Sequence, residues 1–279
     1  MKQCAIVIPI YKEEISYYES ISLKQCFAIL HNHPILFICP VKLKDTKLHE
    51  ENKEKSEFIF VDNNNFDSII AYNKMLMSVW FYELFVKFDS VLIYQLDCFV
   101  FKDELNSWIE KGFSYLGAPW FLGNSNNNNI NELIGVGNGG FSLRNINDSI
   151  KVLKSTKKVW TLNYFIQIEK NKNSNLKLLR SLKKYLFSDS FKTIHKNKLI
   201  NEDKLFSHAG TRFSFFNIPK PKQAIPFAFE MQPKKLYNLN NKQLPFGCHA
   251  WWKYDLEFYV PFIKSSGYIL DKNEINYQK

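Results

Sequence analysis

Residues 90 to 101, Ser-Val-Leu-Ile-Tyr-Gln-Leu-Asp-Cys-Phe-Val-Phe, decide how this chain is read. Val91, Leu92, Ile93 and Tyr94 form a short apolar run of β-formers, the pattern of a strand buried on both faces. The run stops at Gln95-Leu96-Asp97, and apolar residues then resume. A carboxylate inside such a run is costly unless it is hydrogen-bonded, paired or bound to a metal. A turn or helix-cap aspartate meets that demand. So does a ligand site, because open α/β sheets bind ligands at the carboxyl ends of their strands. Asp97 is therefore the first candidate for chemistry.

The flanking sequence extends the pattern. Ala5 to Ile10 reads as a strand closed by Pro9-Ile10-Tyr11-Lys12-Glu13, and Ile15 to Leu30 is helical in spacing. Ile35 to Cys39 is a second strand stopped by Pro40. Glu57 to Val61 is a third, ending at the capping and turn cluster Asp62-Asn63-Asn64-Asn65. Asp67 to Phe88 is predicted as one long helix. Strands alternating with helices at this spacing imply a parallel sheet with helices on its faces. Downstream, Asp103 to Lys111 is a short helix capped by Asp103, and Phe113 to Trp120 a strand leading into a loop. Asn124 to Asn131 is low in complexity and expected to be mobile. Gly135 to Arg144 is the glycine-dense stretch; it precedes a strand at Phe141 to Leu143 and suits a close backbone approach to a ligand or a hairpin turn. With no repeat and no clear linker, residues 1–279 are read as one domain, with a basic helical segment at about 146–200.

Bulk properties narrow the function classes. In 279 residues, 46% hydrophobic and 16% aromatic content supports a real core rather than disorder. No apolar run reaches the ~18 residues of a membrane span, and the N-terminus lacks the apolar stretch and cleavage site of a signal peptide. The five cysteines are odd in number, scattered and without a C-x-x-C pair, which argues against a disulfide framework or zinc knuckle and for a cytoplasmic setting. The first glycine is Gly112, so the first strands carry neither a dinucleotide fingerprint nor a P-loop, and no glycine-rich nucleotidyltransferase loop. A net charge of +10 asks for an anionic partner: nucleic acid, a phospholipid surface or a phosphorylated small molecule. Nucleic acid is set aside, because no helix-turn-helix, zinc or ribonucleoprotein signature accompanies the charge. The basic residues crowd between Lys151 and Lys198. Within that segment, Leu178, Leu179, Leu182, Tyr185 and Leu186 share one helical face, with Lys177, Arg180, Lys183 and Lys184 largely elsewhere. A helix lying on an anionic membrane surface has this pattern, and so has an amphipathic helix packed on a core.

Pro9-Ile10-Tyr11-Lys12, Tyr72-Asn73-Lys74, Tyr94-Gln95-Leu96-Asp97, Gly117-Ala118-Pro119-Trp120 and Gly137-Asn138-Gly139-Gly140-Phe141-Ser142-Leu143-Arg144 occur in that order. Glu202-Asp203, Phe229-Glu230 and Pro245-Phe-Gly-Cys-His249-Ala-Trp251 follow. This set resembles the GT-A-like nucleotide-sugar glycosyltransferases, and more narrowly the DUF5672 family. The resemblance implies a GT-A-like α/β fold, a mixed and mostly parallel sheet flanked by helices. It also implies an enzyme that moves a sugar from a nucleotide-sugar donor to a saccharide or lipid-linked acceptor. GT-A enzymes usually hold the donor diphosphate through a metal on a D-x-D; here that tripeptide is Gln95-Leu96-Asp97, with a neutral amide first. Asp97 and His249 are the implied ligands of Mn²⁺ or Mg²⁺. Asp203 is the implied base of an inverting reaction, with Glu202 orienting it or the acceptor; a plain helix N-terminus accounts for the same acids. Pro9, Tyr11, Lys12, Asp62, Asn73, Lys74, Gln95, Gly139 and Gly140 are assigned to the donor. Trp120, Asn138, Glu230 and Trp251 are assigned to the acceptor. The expected setting is surface-polysaccharide or glycolipid synthesis, cytoplasmic or peripheral at the inner face of the membrane through the basic helix. The rival is a binding module that kept the fold and lost the full D-x-D.

Overall fold

The structure, a computed structural model, describes residues 3–121, 132–155, 160–168, 176–187 and 201–270. The asparagine-rich stretch and much of the basic segment lie outside the described residues.

The chain begins with β1 (Cys4–Pro9), α1 (Tyr17–Leu30), β2 (Ile35–Pro40), α2 (Lys47–Asn52) and β3 (Glu57–Val61). A capping box starts α1: Ser16 Oγ accepts from Glu19 N at 3.3 Å, and the Glu19 carboxylate accepts from Ser16 N at 2.7 Å. Next come α3 (Ile69–Leu76), α4 (Val79–Glu83), β4 (Ser90–Tyr94), β5 (Phe99–Val100), α5 (Leu105–Glu110) and β6 (Tyr115–Leu116). The hairpin β7 (Pro119–Phe121) and β8 (Leu133–Val136) precedes β9 (Phe141–Asn145). Then follow α6 (Ile146–Lys154), α7 (Leu162–Ile168), α8 (Lys177–Leu186), α9 (Glu202–Arg212), α10 (Pro221–Ala224), β10 (Ala228–Phe229), α11 (Pro233–Leu239), β11 (Gly247–Cys248) and α12 (Trp251–Ser265).

The central sheet has the order β3-β2-β1-β4-β9-β6. Its first four strands are parallel, and β9 runs antiparallel to both β4 and β6. This is the mixed, mostly parallel, helix-flanked α/β sheet that the resemblance implied. Strand alternation divides the core into two layers. Ile6, Ile8, Phe37, Leu92 and Tyr94 face one, with Cys26 of α1 and Trp108 of α5. Ala5, Val7, Leu36, Ile38, Val91 and Ile93 face the other, with Met75 of α3, Phe81 of α4, Val152 of α6 and Phe206 of α9. The apolar run at Val91 to Tyr94 is continuous because both faces of β4 are covered.

Two expectations differ in detail. The long helix from Asp67 to Phe88 is two helices, because serines cap both starts: Ser68 Oγ accepts from Ala71 N at 3.1 Å and Ser78 Oγ from Phe81 N at 3.3 Å. The strand from Phe113 to Trp120 is likewise two pieces, β6 and β7, parted at Gly117-Ala118. A Cβ at Gly117 would lie 1.7 Å from the Gly137 carbonyl oxygen, so the two segments touch there by backbone alone.

From β1 the chain winds outward through β2 and β3, then returns to β4 on the other side of β1. The carboxyl ends of β1 and β4 therefore flank a topological switch point, where open α/β sheets have a crevice. Among the described residues, no helix is long and apolar enough to cross a membrane. The five cysteines are buried and free.

Candidate active site

A cleft of about 760 Å³ opens at that switch point. Pro9 and Tyr11 line it from the end of β1, Gln95 and Asp97 from the end of β4, and Asn138 to Gly140 from the turn before β9. Glu202 and Asp203 enter from the first turn of α9, and Glu230, His249 and Trp252 to Tyr254 close the far side.

The far side is organised by a second sheet of order β10-β11-β5, with β10 parallel to β11 and β5 antiparallel. Glu230 follows β10, His249 follows β11, and Asp97 stands just ahead of β5. Because β5 runs the opposite way, its start lies at the ends of the other two, and the three side chains meet. His249 Nδ1 lies 2.9 Å from Glu230 Oε1, and His249 Nε2 lies 3.1 Å from Asp97 Oδ1. The first contact is a hydrogen bond. The second is a close approach without hydrogen-bond alignment, so Nε2 and Oδ1 are both buried and unsatisfied. Burial pulls the His249 imidazole down, but Asp97 and Glu230 together raise it to about 10. Burial works against the charge on Asp97 as well, yet His249 holds its carboxyl below the ordinary range.

Gly140 forms the floor under these groups. A Cβ there would come within 2.2 Å of His249 Nε2 and 2.7 Å of Gln95 Oε1, so both heteroatoms converge above a bare backbone. Gln95 spends its amide nitrogen on the Tyr72 hydroxyl, at 3.3 Å, which leaves its oxygen on the cleft side. A buried imidazole oriented by a carboxylate, an unsatisfied carboxylate oxygen beside it and an amide oxygen nearby form a donor set that fits a divalent cation, once the imidazole gives up its Nε2 proton to it.

On the near side, Glu202 and Asp203 are adjacent but differently placed. Glu202 Oε1 accepts from Arg144 Nη2 at 3.0 Å in a fully buried ion pair, and Glu202 N donates to Asn73 Oδ1 at 2.8 Å. Arg144 reaches this point from β9, held also by the Tyr82 hydroxyl at 3.2 Å. A Cβ on Gly139 would sit 1.9 Å from Glu202 Oε1, so that glycine admits the carboxylate. Asp203 has no cation at hydrogen-bond distance among the described residues; it accepts from Lys204 N at 2.7 Å and Asn138 N at 3.2 Å. Burial, then the charge of Glu202, push it up to about 7. Asn138 itself is in the left-handed region at φ 72°, which asparagine tolerates, and its Nδ2 is buried and unsatisfied.

The profile described as "Protein of unknown function (DUF5672)" matches residues 55–249, more than half of the chain. The chain belongs to the DUF5672 family. No curated protein sequence matches it. Among solved structures, mouse xyloside xylosyltransferase 1 in its apo form is similar at 10% identity and TM-score 0.46, over 88% of this chain and 97% of that one. The galactosyltransferase LgtC with donor and acceptor sugar analogues gives 11% identity and TM-score 0.48, over 96% and 98%. The apo glycosyltransferase GlyE of Streptococcus pneumoniae TIGR4 gives 13% and 0.45, over 95% of this chain and 63% of that one.

In this DUF5672 protein the cleft brings together Pro9, Tyr11, Lys12, Asn73, Gln95, Asp97, Asn138, Gly139, Gly140, Glu202, Asp203, Glu230 and His249. Four predicted residues are not in its lining. Asp62 caps the short turn Asn63–Phe66, accepting from Asn64 N at 2.9 Å. Lys74 is exposed on α3, on a different face from its buried neighbour Asn73. Trp120 packs over Gly135 and Gly137, where a Cβ on Gly137 would overlap its indole. Trp251 is buried against Tyr18 and Phe99 and donates to Ser22 Oγ at 3.0 Å, so it offers no open face to a sugar. Its neighbour Trp252 is the tryptophan that reaches the cleft. Lys12 lines the cleft but is already paired with Glu19 at 2.8 Å. Sequence reasoning assigned no role to Arg144 or Lys253; the first stands in the quoted glycine motif and the second just beyond the quoted His-Ala-Trp.

Two variants separate the neighbouring acids. Glu202→Ala leaves Arg144 buried without its counter-charge and is expected to cost about 3–5 kcal/mol, read as a lower urea midpoint; an unchanged midpoint contradicts the buried pair. For Asp203, a folded-state value near 7 against an ordinary 3.8 means that the folded chain holds the proton more tightly. That contribution to stability is full below the ordinary value and is lost as pH rises to about 7. Asp203→Asn, which cannot ionise, should therefore gain stability relative to wild type on going from about pH 4 to about pH 8, by on the order of 4 kcal/mol. A pH-independent difference between the two unfolding curves contradicts this.

Proposed function

We propose that this protein is a glycosyltransferase, moving a sugar from a nucleotide-sugar donor to a saccharide or lipid-linked acceptor with inversion and with the help of a divalent cation. The observation that carries the reading is the juxtaposition in one switch-point cleft of an oxygen- and nitrogen-donor cluster with a separate carboxyl tuned to neutrality. The first suits the donor's diphosphate and the second suits an acceptor hydroxyl.

Tyr11, exposed beyond the end of β1 in the cleft lining, would stack on the nucleotide base, with Pro9 shaping the turn. Asp97 and His249 would hold Mn²⁺ or Mg²⁺, with Gln95 Oε1 beside them and Glu230 fixing the imidazole through Nδ1. Such a cation would supply positive charge to the leaving diphosphate. Lys253, on the same wall, adds positive charge where Asp97 feels it. Asp203 takes the acceptor hydroxyl proton as that oxygen attacks the anomeric carbon and the bond to the diphosphate oxygen breaks. Asn138, through its free Nδ2, and Trp252 are left to orient the acceptor. The basic charge supports an anionic setting, lipid-linked synthesis of surface polysaccharide or glycolipid at the inner face of a membrane. Gln95 in place of an acid favours a second reading, a nucleotide- or carbohydrate-binding module without turnover.

The test is a panel of nucleotide-sugar donors with Mn²⁺, repeated after EDTA. Turnover with one donor, rising with pH through about 7 and reduced by about a hundredfold or more in Asp203→Asn, is expected. Tight binding of donors with no hydrolysis or transfer under any condition supports the module instead.

A further inference from the structure

Helix α8 is built the wrong way round for a helix packed on a core. Ser181 is its buried residue, at 0% exposure, while Leu178, Leu179 and Leu182 stand 63%, 64% and 38% exposed and Phe187, just past its end, 81%. Amphipathic helices in globular domains bury the leucines and expose the serine. The helix is nevertheless seated: Tyr185 meets Phe165 of α7 edge-on at 6.3 Å, and Phe165 belongs to the core layer beneath. Seating through Tyr185 and Ser181 leaves the leucine side outward. At 100° per residue, Lys183 borders that side and Arg180 lies farther round, beside Phe187, and both are exposed.

We infer that α8 is an interfacial helix that seats Leu178, Leu179 and Leu182 in an anionic bilayer, with Arg180 and Lys183 at the headgroups. The occupant follows from charge complementarity. Long cationic side chains beside an apolar face can lay their stems along it and extend their heads to phosphate, and the +10 net charge favours the same surface. A second copy of this chain would bring like charges together around the same leucines. The inference deepens the lipid-linked setting proposed above and rests on it for its purpose, but vesicle binding is read without turnover, so either can fail alone.

The full chain is sedimented with vesicles of phosphatidylcholine alone and of phosphatidylcholine mixed with phosphatidylglycerol. Wild type should partition onto the mixed vesicles and release as salt rises. The triple variant L178S/L179S/L182S should lose about tenfold or more of that affinity, and so should R180E/K183E. Because all five positions are exposed, far-ultraviolet dichroism and the thermal midpoint should not change. The inference is overturned by wild type that stays in solution with the mixed vesicles, or by a leucine variant that binds like wild type. It is equally overturned by a self-association that the leucine substitutions abolish while vesicles go unbound. Transfer to a water-soluble acceptor, unchanged in the leucine variant, reports on the transferase reading alone.

Discussion

His249 stands between two carboxylates from distant parts of the chain, and much of the cleft exists to hold it there. Asp97 arrives at the end of the central strand, Glu230 and His249 at the ends of two strands of the smaller sheet. Three strands of two residues each would have little reason to pair in isolation. Here the pairing sits on an apolar cluster that includes Phe99, Phe229, Cys248 and the buried Trp251. Burying three ionisable groups is costly unless they satisfy one another. The imidazole does so only in part: it is hydrogen-bonded to Glu230 through Nδ1 and faces Asp97 with an unsatisfied Nε2, and the bare backbone of Gly140 leaves the space they need.

A second buried pair divides the labour of two adjacent acids. Arg144 neutralises Glu202 and, with Asn73, pins the first turn of α9 against β9 and α3. Asp203 is buried beside the Glu202 carboxylate, with no cation at hydrogen-bond distance among the described residues, and its proton affinity rises. A helix N-terminus ordinarily favours ionised acids. Here burial and the adjacent carboxylate outweigh that field, and so one acid serves as anchor while the other is poised to exchange a proton.

The large elements were legible in the sequence because both faces of the central strands are covered: the runs at Ile6, Ile35 and Val91 are too apolar for any other place. Asp97 stood out for the same reason, a charge where none is comfortable. Glu202-Asp203 is visible as a helix start, but Glu202 and its partner Arg144 stand 58 positions apart in the chain, and their pairing leaves no local mark. The smaller sheet is illegible since two-residue strands carry no alternation. Trp251 and Trp252 are indistinguishable by type. A left-handed Ala250 sets the start of α12 and with it which indole turns inward. At α3 and α4 the apolar spacing ran on through Ser78, and side-chain capping decided the break.

If Asp97 and His249 converge to hold a cation for a diphosphate, their proximity is more than an internal ion pair. Calorimetric titration of a panel of nucleoside diphosphates into the protein, with Mn²⁺ and again with EDTA, tests that cation site directly. One of them is expected to bind with Mn²⁺ and to weaken by about tenfold or more both on chelation and in His249→Ala. Equal affinity in wild type with EDTA and in His249→Ala with Mn²⁺, each matching wild type with Mn²⁺, would contradict such a site.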